Sequence, residues 1–113
     1  MKDIKLKLTI GELQEFVRIL QYYVENATTV LNEKEYVHFF NLKKLAQRLF
    51  LRWVIAFKAS RIKSTVSISA SEAESVIFVY KNITAFTDHY RNMLIINIIS
   101  ELDKQLEAIK FTL

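Results

Sequence analysis

A chain of 113 residues, 51% hydrophobic and 25% charged, is one domain's worth of protein with enough apolar material for a real core. It has no cysteine and a single glycine, Gly11, which excludes disulfide frameworks, thiolate metal sites and glycine-rich phosphate loops. Proline is also absent and the formal net charge is +4, so long helices with a basic balance are expected.

Residues Asp3 to Ile10 alternate Ile4, Leu6, Leu8 and Ile10 with Asp3, Lys5, Lys7 and Thr9. Period two over this length predicts a half-buried strand. It leaves no unbroken apolar run of the kind a secretion signal needs. Together with the lack of cysteine, this gives the expectation of a cytoplasmic protein. The triplets Asn26-Ala27-Thr28 and Asn82-Ile83-Thr84 are accordingly read as chance matches to a glycosylation acceptor.

Thr9 and Glu12 form a capping-box pattern. Leu13, Phe16, Val17, Leu20, Val24 and Ala27 follow at helical spacing and predict a helix over 11–26. Asn32 and Glu35 repeat the cap before a breaker-free segment, 33–60. In 61–70, Ile62, Val66 and Ile68 alternate with Lys63, Thr65, Ser67 and Ser69, which predicts a second strand. Ser69 and Glu72 cap a third helix carrying Ala73, Val76, Ile77, Tyr80 and Ile83. A last helix runs from Asp88 to the end. Its Ile95, Ile99, Leu102, Leu106, Ile109 and Leu113 are spaced 4, 3, 4, 3, 4, a heptad seam expected to pack against the 33–60 helix of the same chain, with its symmetry mate as the alternative.

The fold expected is a single α+β domain over 1–113. It is mostly α with a small two-stranded β-ribbon and four helices, in the order β-α-α-β-α-α. The order repeats a topology in pseudo-halves 1–60 and 61–113, with Thr9/Glu12 and Ser69/Glu72 separated by 60 positions. Two strands alone are marginal in water. They must therefore pair over a helical layer, expected antiparallel, or across a dimer.

Catalytic patterns are missing. His38 shares an apolar helix face with Leu45, Leu49 and Ala56, where a core histidine with one satisfied nitrogen is expected. His89 follows the capping residue Asp88. Ser64, Ser67, Ser69, Ser71 and Ser75 have no base nearby in sequence, and no metal-ligand spacing occurs. Glu101, Asp103 and Glu107 interleave with Lys104 and Lys110 as on a solvated helix. No catalytic residue, cofactor or metal is expected, and the chain is not read as an enzyme.

The asymmetric feature is charge. The 36 residues between Glu35 and Glu72 contain no acidic side chain and seven basic ones, Lys43, Lys44, Arg48, Arg52, Lys58, Arg61 and Lys63. At helical pitch Lys43, Lys58, Lys44, Arg48 and Arg52 fall on one half of the helix. Leu42, Leu45, Leu49, Phe50, Trp53 and Phe57 fall on the other, expected to be core. Phe40, Leu51 and Ile55 lie among the basic residues. The apolar run 49–57 is short of the ~20 residues a membrane span needs, and Arg52 interrupts it. An integral membrane protein is not expected, although aromatic and basic faces on one helix also suit a membrane surface.

Two functions compete with a merely solvated basic face. One is a small non-catalytic interaction module that self-associates as a homodimer or binds a larger partner, with Leu51, Ile55, Ile96 and Ile98 as the apolar contact residues. The alternative is a nucleic-acid-binding protein that uses Lys5, Lys7, Lys44, Arg48, Arg52, Arg61 and Lys63 on phosphates. A short strand bearing Lys5, Lys7 and Thr9, with two helices after it, resembles the ribbon-helix-helix DNA-binding family in layout. That resemblance implies readout from the outer face of the ribbon. The layout departs from the family in the length of the second helix and in the lack of a glycine between the helices.

Overall fold

The computed structural model describes residues 3–30, 32–82, 86 and 88–111. Ile83, Thr84 and Leu113, named above in a helix, a triplet and a seam, lie outside them. Strand β1 (Ile4–Thr9) leads into α1 (Ile10–Val30). A 3-10 turn, Glu33–Glu35, opens α2 (Tyr36–Lys58). Strand β2 (Lys63–Ile68), α3 (Ala70–Asn82) and α4 (His89–Phe111) complete the expected order.

The strands pair antiparallel within the one chain, in a register that places Ile4 opposite Ile68, Leu6 opposite Val66 and Leu8 opposite Ser64. These six side chains point onto the helices and are all buried. Of the three expected capping boxes, the one at Asn32 has Asn32 N donating to Glu35 Oε1 at 3.1 Å, and the two at the strand ends close fully. Thr9 N donates to Glu12 Oε1 at 2.8 Å and Glu12 N to Thr9 Oγ1 at 3.1 Å. Ser69 N donates to Glu72 Oε1 at 3.0 Å and Glu72 N to Ser69 Oγ at 3.1 Å. Each strand is thereby turned sharply into its following helix, and this gives the two halves their shared geometry.

Ile62 is not the first residue of the second strand. It is 81% exposed, and the strand starts one residue later. The cause is the end of α2. Ser60 takes a left-handed φ of 55°, and Ala59 N and Arg61 N bond back to Ile55 O and Ala56 O. The chain is still turning at Ile62, and the inward position of the first rung falls to the polar Ser64.

The edges of a two-stranded sheet would leave backbone groups unpaired. Here helix side chains take up four of them. On the β1 edge, Gln105 of α4 accepts from Lys5 N at 3.0 Å and donates to Lys5 O at 2.8 Å. On the β2 edge, Arg48 and Arg52 of α2 donate to Ser67 O at 2.9 Å and Thr65 O at 3.3 Å.

This arrangement corrects two expectations. Helices α2 and α4 flank opposite edges of the ribbon and do not form the expected pair. Helix α2 packs on α1, α3 and β2, and α4 on α3, α1 and β1. The seam residues Ile95, Ile99, Leu102 and Leu106 are buried and Ile109 half-buried, but against three elements. Three neighbours cover a wider stripe than one partner helix does, so Leu94 and Ile98 are buried too. Ile98, expected at a contact surface, is 3% exposed and belongs to the core.

Candidate interaction surfaces

The outward residues of the ribbon form three cross-strand rungs: Lys5 opposite Ser67, Lys7 opposite Thr65 and Lys63 opposite Thr9. Each rung sets one ammonium beside one hydroxyl. Lys5 Nζ donates to Ser67 Oγ at 2.6 Å. Alternate residues on a strand lie roughly 6.6 Å apart, so the rungs repeat at that spacing.

Arg52 extends this basic surface at Thr65, beside a groove of about 300 Å³ lined by Leu51, Ile55 and Thr65. Arg48 contributes less than its formal charge. Its Nη1 and Nη2 clasp both oxygens of Glu72 at 2.7 and 2.8 Å. That hydrogen-bonded carboxylate raises the Arg48 pKa against the cost of burial. Burial works to raise the Glu72 pKa, but the Arg48 guanidinium and the Ser69 backbone and hydroxyl outweigh it, and the net direction is down.

The contacts along α2 run from Arg52 at Thr65 to Arg48 at Ser67 to Asn41 at Ser71. Lys44, one turn before Arg48, is exposed on the open side of α2. Arg61 is exposed in the turn before β2. The structure thus gathers Lys5, Lys7, Arg52 and Lys63 on and beside the ribbon and leaves Lys44 apart. Among the described residues no direct ion pair joins them to α4; Glu101 accepts from Gln105 of its own helix at 2.8 Å and lines a groove with Lys5 and Lys7.

A second surface is apolar. Among the described residues, twelve large hydrophobic side chains are exposed, and seven of them sit on α2: Tyr36, Val37, Phe40, Phe50, Leu51, Ile55 and Phe57. Leu51 and Ile55 were expected there. Phe50 and Phe57 were expected in the core and are exposed. Leu42, Leu45, Leu49 and Ala56 fill the core arc of α2, and the larger rings stand at its margin. There Phe50, Trp53 and Phe57 stack along the helix with ring centroids 6.1 and 5.4 Å apart. Ile96, on α4, is exposed on a different element.

One polar cluster approaches a catalytic pair. His38 Nδ1 lies 2.8 Å from Ser75 Oγ, which also accepts from Asn41 Nδ2 at 2.9 Å and donates to Ser71 O at 3.1 Å. With its one proton committed to a carbonyl, the hydroxyl accepts from His38, which fixes the proton on Nδ1. A general base needs the reverse donation. Ser75 is also fully buried, and the His38 ring stacks on Phe78 at 4.4 Å. The cluster satisfies polar groups between α2 and α3. Sequence could not reveal it, since its members are 37 positions apart.

Among the described residues no group of His, Cys, Asp and Glu converges on a common point, and no helix is long and apolar enough to cross a membrane. Comparison of the chain with protein-family models, with curated proteins and with solved structures finds no match.

Proposed function

We propose that the chain is a small non-catalytic interaction module of a reducing, cytoplasmic compartment, which docks a macromolecule through the exposed face of α2. The observation that carries this is the concentration of exposed apolar side chains on that one helix. Monomeric surfaces scatter such residues singly. A photo-crosslinking residue at Leu51 is expected to give adducts of discrete mass in cells. The same residue at Asp103, on the solvated side of α4, is expected to give none. Blank lanes at both positions would remove the reading.

The rungs favour a second reading, contact with a nucleic-acid backbone. Every outward rung offers an ammonium and a hydroxyl, the two groups that phosphate oxygens accept from. Four cations, Lys5, Lys7, Arg52 and Lys63, predict a log–log salt slope of roughly −3 to −4 for duplex binding. Lys7→Ala is expected to reduce that slope by about 1. Fluorescence anisotropy with labelled duplex and single strands measures both, and no binding at low salt removes this reading.

A further inference from the structure

We infer that the partner of the α2 face is a second copy of this chain, with the two α2 helices packed antiparallel. This rests on the reading of α2 as a docking face and adds its occupant.

Helix α2 is covered by α1 on one flank and by α3 and β2 on the other. The arc between them is open, and its residues recur with a heptad period. They begin at Glu33 in the 3-10 turn and end at Lys58, spaced 4, 3, 4, 3, 4, 3, 4. Apart from the half-buried Val54, every one is exposed. The seam is distinct from that of α4, and it faces solvent.

The order of residues along the seam selects the pairing. Laid antiparallel on a copy of itself with a and d positions meeting, it forms layers that match throughout. Val37 meets Val54 of the copy, and Phe40 meets Leu51. Lys44 meets Gln47, whose amide oxygen accepts from the ammonium. Glu33 meets Lys58. The twofold axis repeats each layer once, as an isologous interface requires. The parallel arrangement stacks Glu33 on Glu33, Lys44 on Lys44 and Lys58 on Lys58, three like-charge layers. Charge complementarity thus points to an antiparallel second copy. Glu33 and Lys58 stand at opposite ends of α2, about 37 Å apart along the axis, so no single chain can pair them.

Sedimentation velocity of the purified chain over a range of concentrations tests this. A monomer–dimer equilibrium is expected. Leu51→Glu should abolish it while the monomer keeps its helical circular dichroism and cooperative unfolding, because Leu51 is exposed. Glu33→Lys and Lys58→Glu should each weaken the dimer about 3- to 10-fold at low salt, the range for exposed ion pairs lost at two symmetric sites. The double variant should recover wild-type affinity. A monomer at millimolar concentration, a dimer indifferent to Leu51→Glu, or a double variant without recovery would each overturn the inference. Adducts between Leu51 and foreign proteins, beside a purified chain that stays monomeric, would leave the docking reading standing and remove this one.

Discussion

Replacing Ile98 with aspartate is expected to unfold the protein, whereas the same change at Ile96 should be nearly silent. Two residues apart on α4, they are 3% and 45% exposed. Truncating a buried isoleucine costs about 2–5 kcal/mol through lost burial and the cavity left behind. Aspartate at Ile98 adds a buried carboxylate among Leu94, Ile95, Ile99 and Leu102. The sum is about 5 kcal/mol or more, against the roughly 5–15 kcal/mol that holds a domain folded. Ile96→Asp exchanges one exposed side chain for another and should stay within about 0.5 kcal/mol. Circular dichroism and urea unfolding of the two variants separate these outcomes. A folded Ile98→Asp protein of ordinary stability would show that the wide packing stripe of α4 is not core.

That pair of residues also marks where the sequence stops being informative. The alternation of Ile4, Leu6 and Leu8 with Lys5 and Lys7 is legible because only a strand puts every second residue on one face. The caps at Thr9 and Ser69 are legible because a helix start leaves donors that only nearby side chains can reach. Both are local constraints. A heptad seam states that a helix has a partner and leaves open which. Ile98 was assigned to a free surface by assuming one neighbour for α4, when three elements enclose it. Phe50 and Phe57 failed in the opposite direction: helical pitch put them on the core half, but the core ends before it reaches them.

The candidate surfaces divide along the same line. That Lys5, Lys7 and Lys63 face outward follows from alternation. That each stands opposite a hydroxyl needs the register, which only the folded pair supplies. Arg48 counted as a free cation in the sequence. Its carboxylate partner, Glu72, lies 24 positions away across the ribbon edge. Gln105 gave no signal at all, because its task is to cap a strand 100 positions distant.

The two capping boxes provide an internal comparison that isolates the Arg48 contribution. Glu12→Ala and Glu72→Ala each remove the carboxylate that accepts from the residue before the helix, a loss of about 1 kcal/mol. Glu72→Ala also removes two charge-assisted bonds from Arg48 at a site where the carboxylate side chain is only 11% exposed. Bonds to charged groups contribute about 1.5–3 kcal/mol in such places. The exposed half of the arginine can regain water, which keeps the figure towards the lower end. Glu72→Ala is therefore expected to cost about 3 kcal/mol in urea unfolding and Glu12→Ala about 1 kcal/mol. The difference should be pH-dependent: burial pushes the Glu72 carboxyl up, but the Arg48 guanidinium and the Ser69 cap outweigh it and hold it below its ordinary range. A carboxyl group with a lower pKa in the folded state contributes stability that is fully present above its unfolded value. It is lost as pH falls through the folded value. The gap between the two variants should thus hold at neutral pH and close in acid, below the ordinary carboxylate range. Equal losses at neutral pH would mean that Arg48 gains nothing from Glu72. The β2 edge would then be held by the backbone bonds of Arg48 and Arg52 alone.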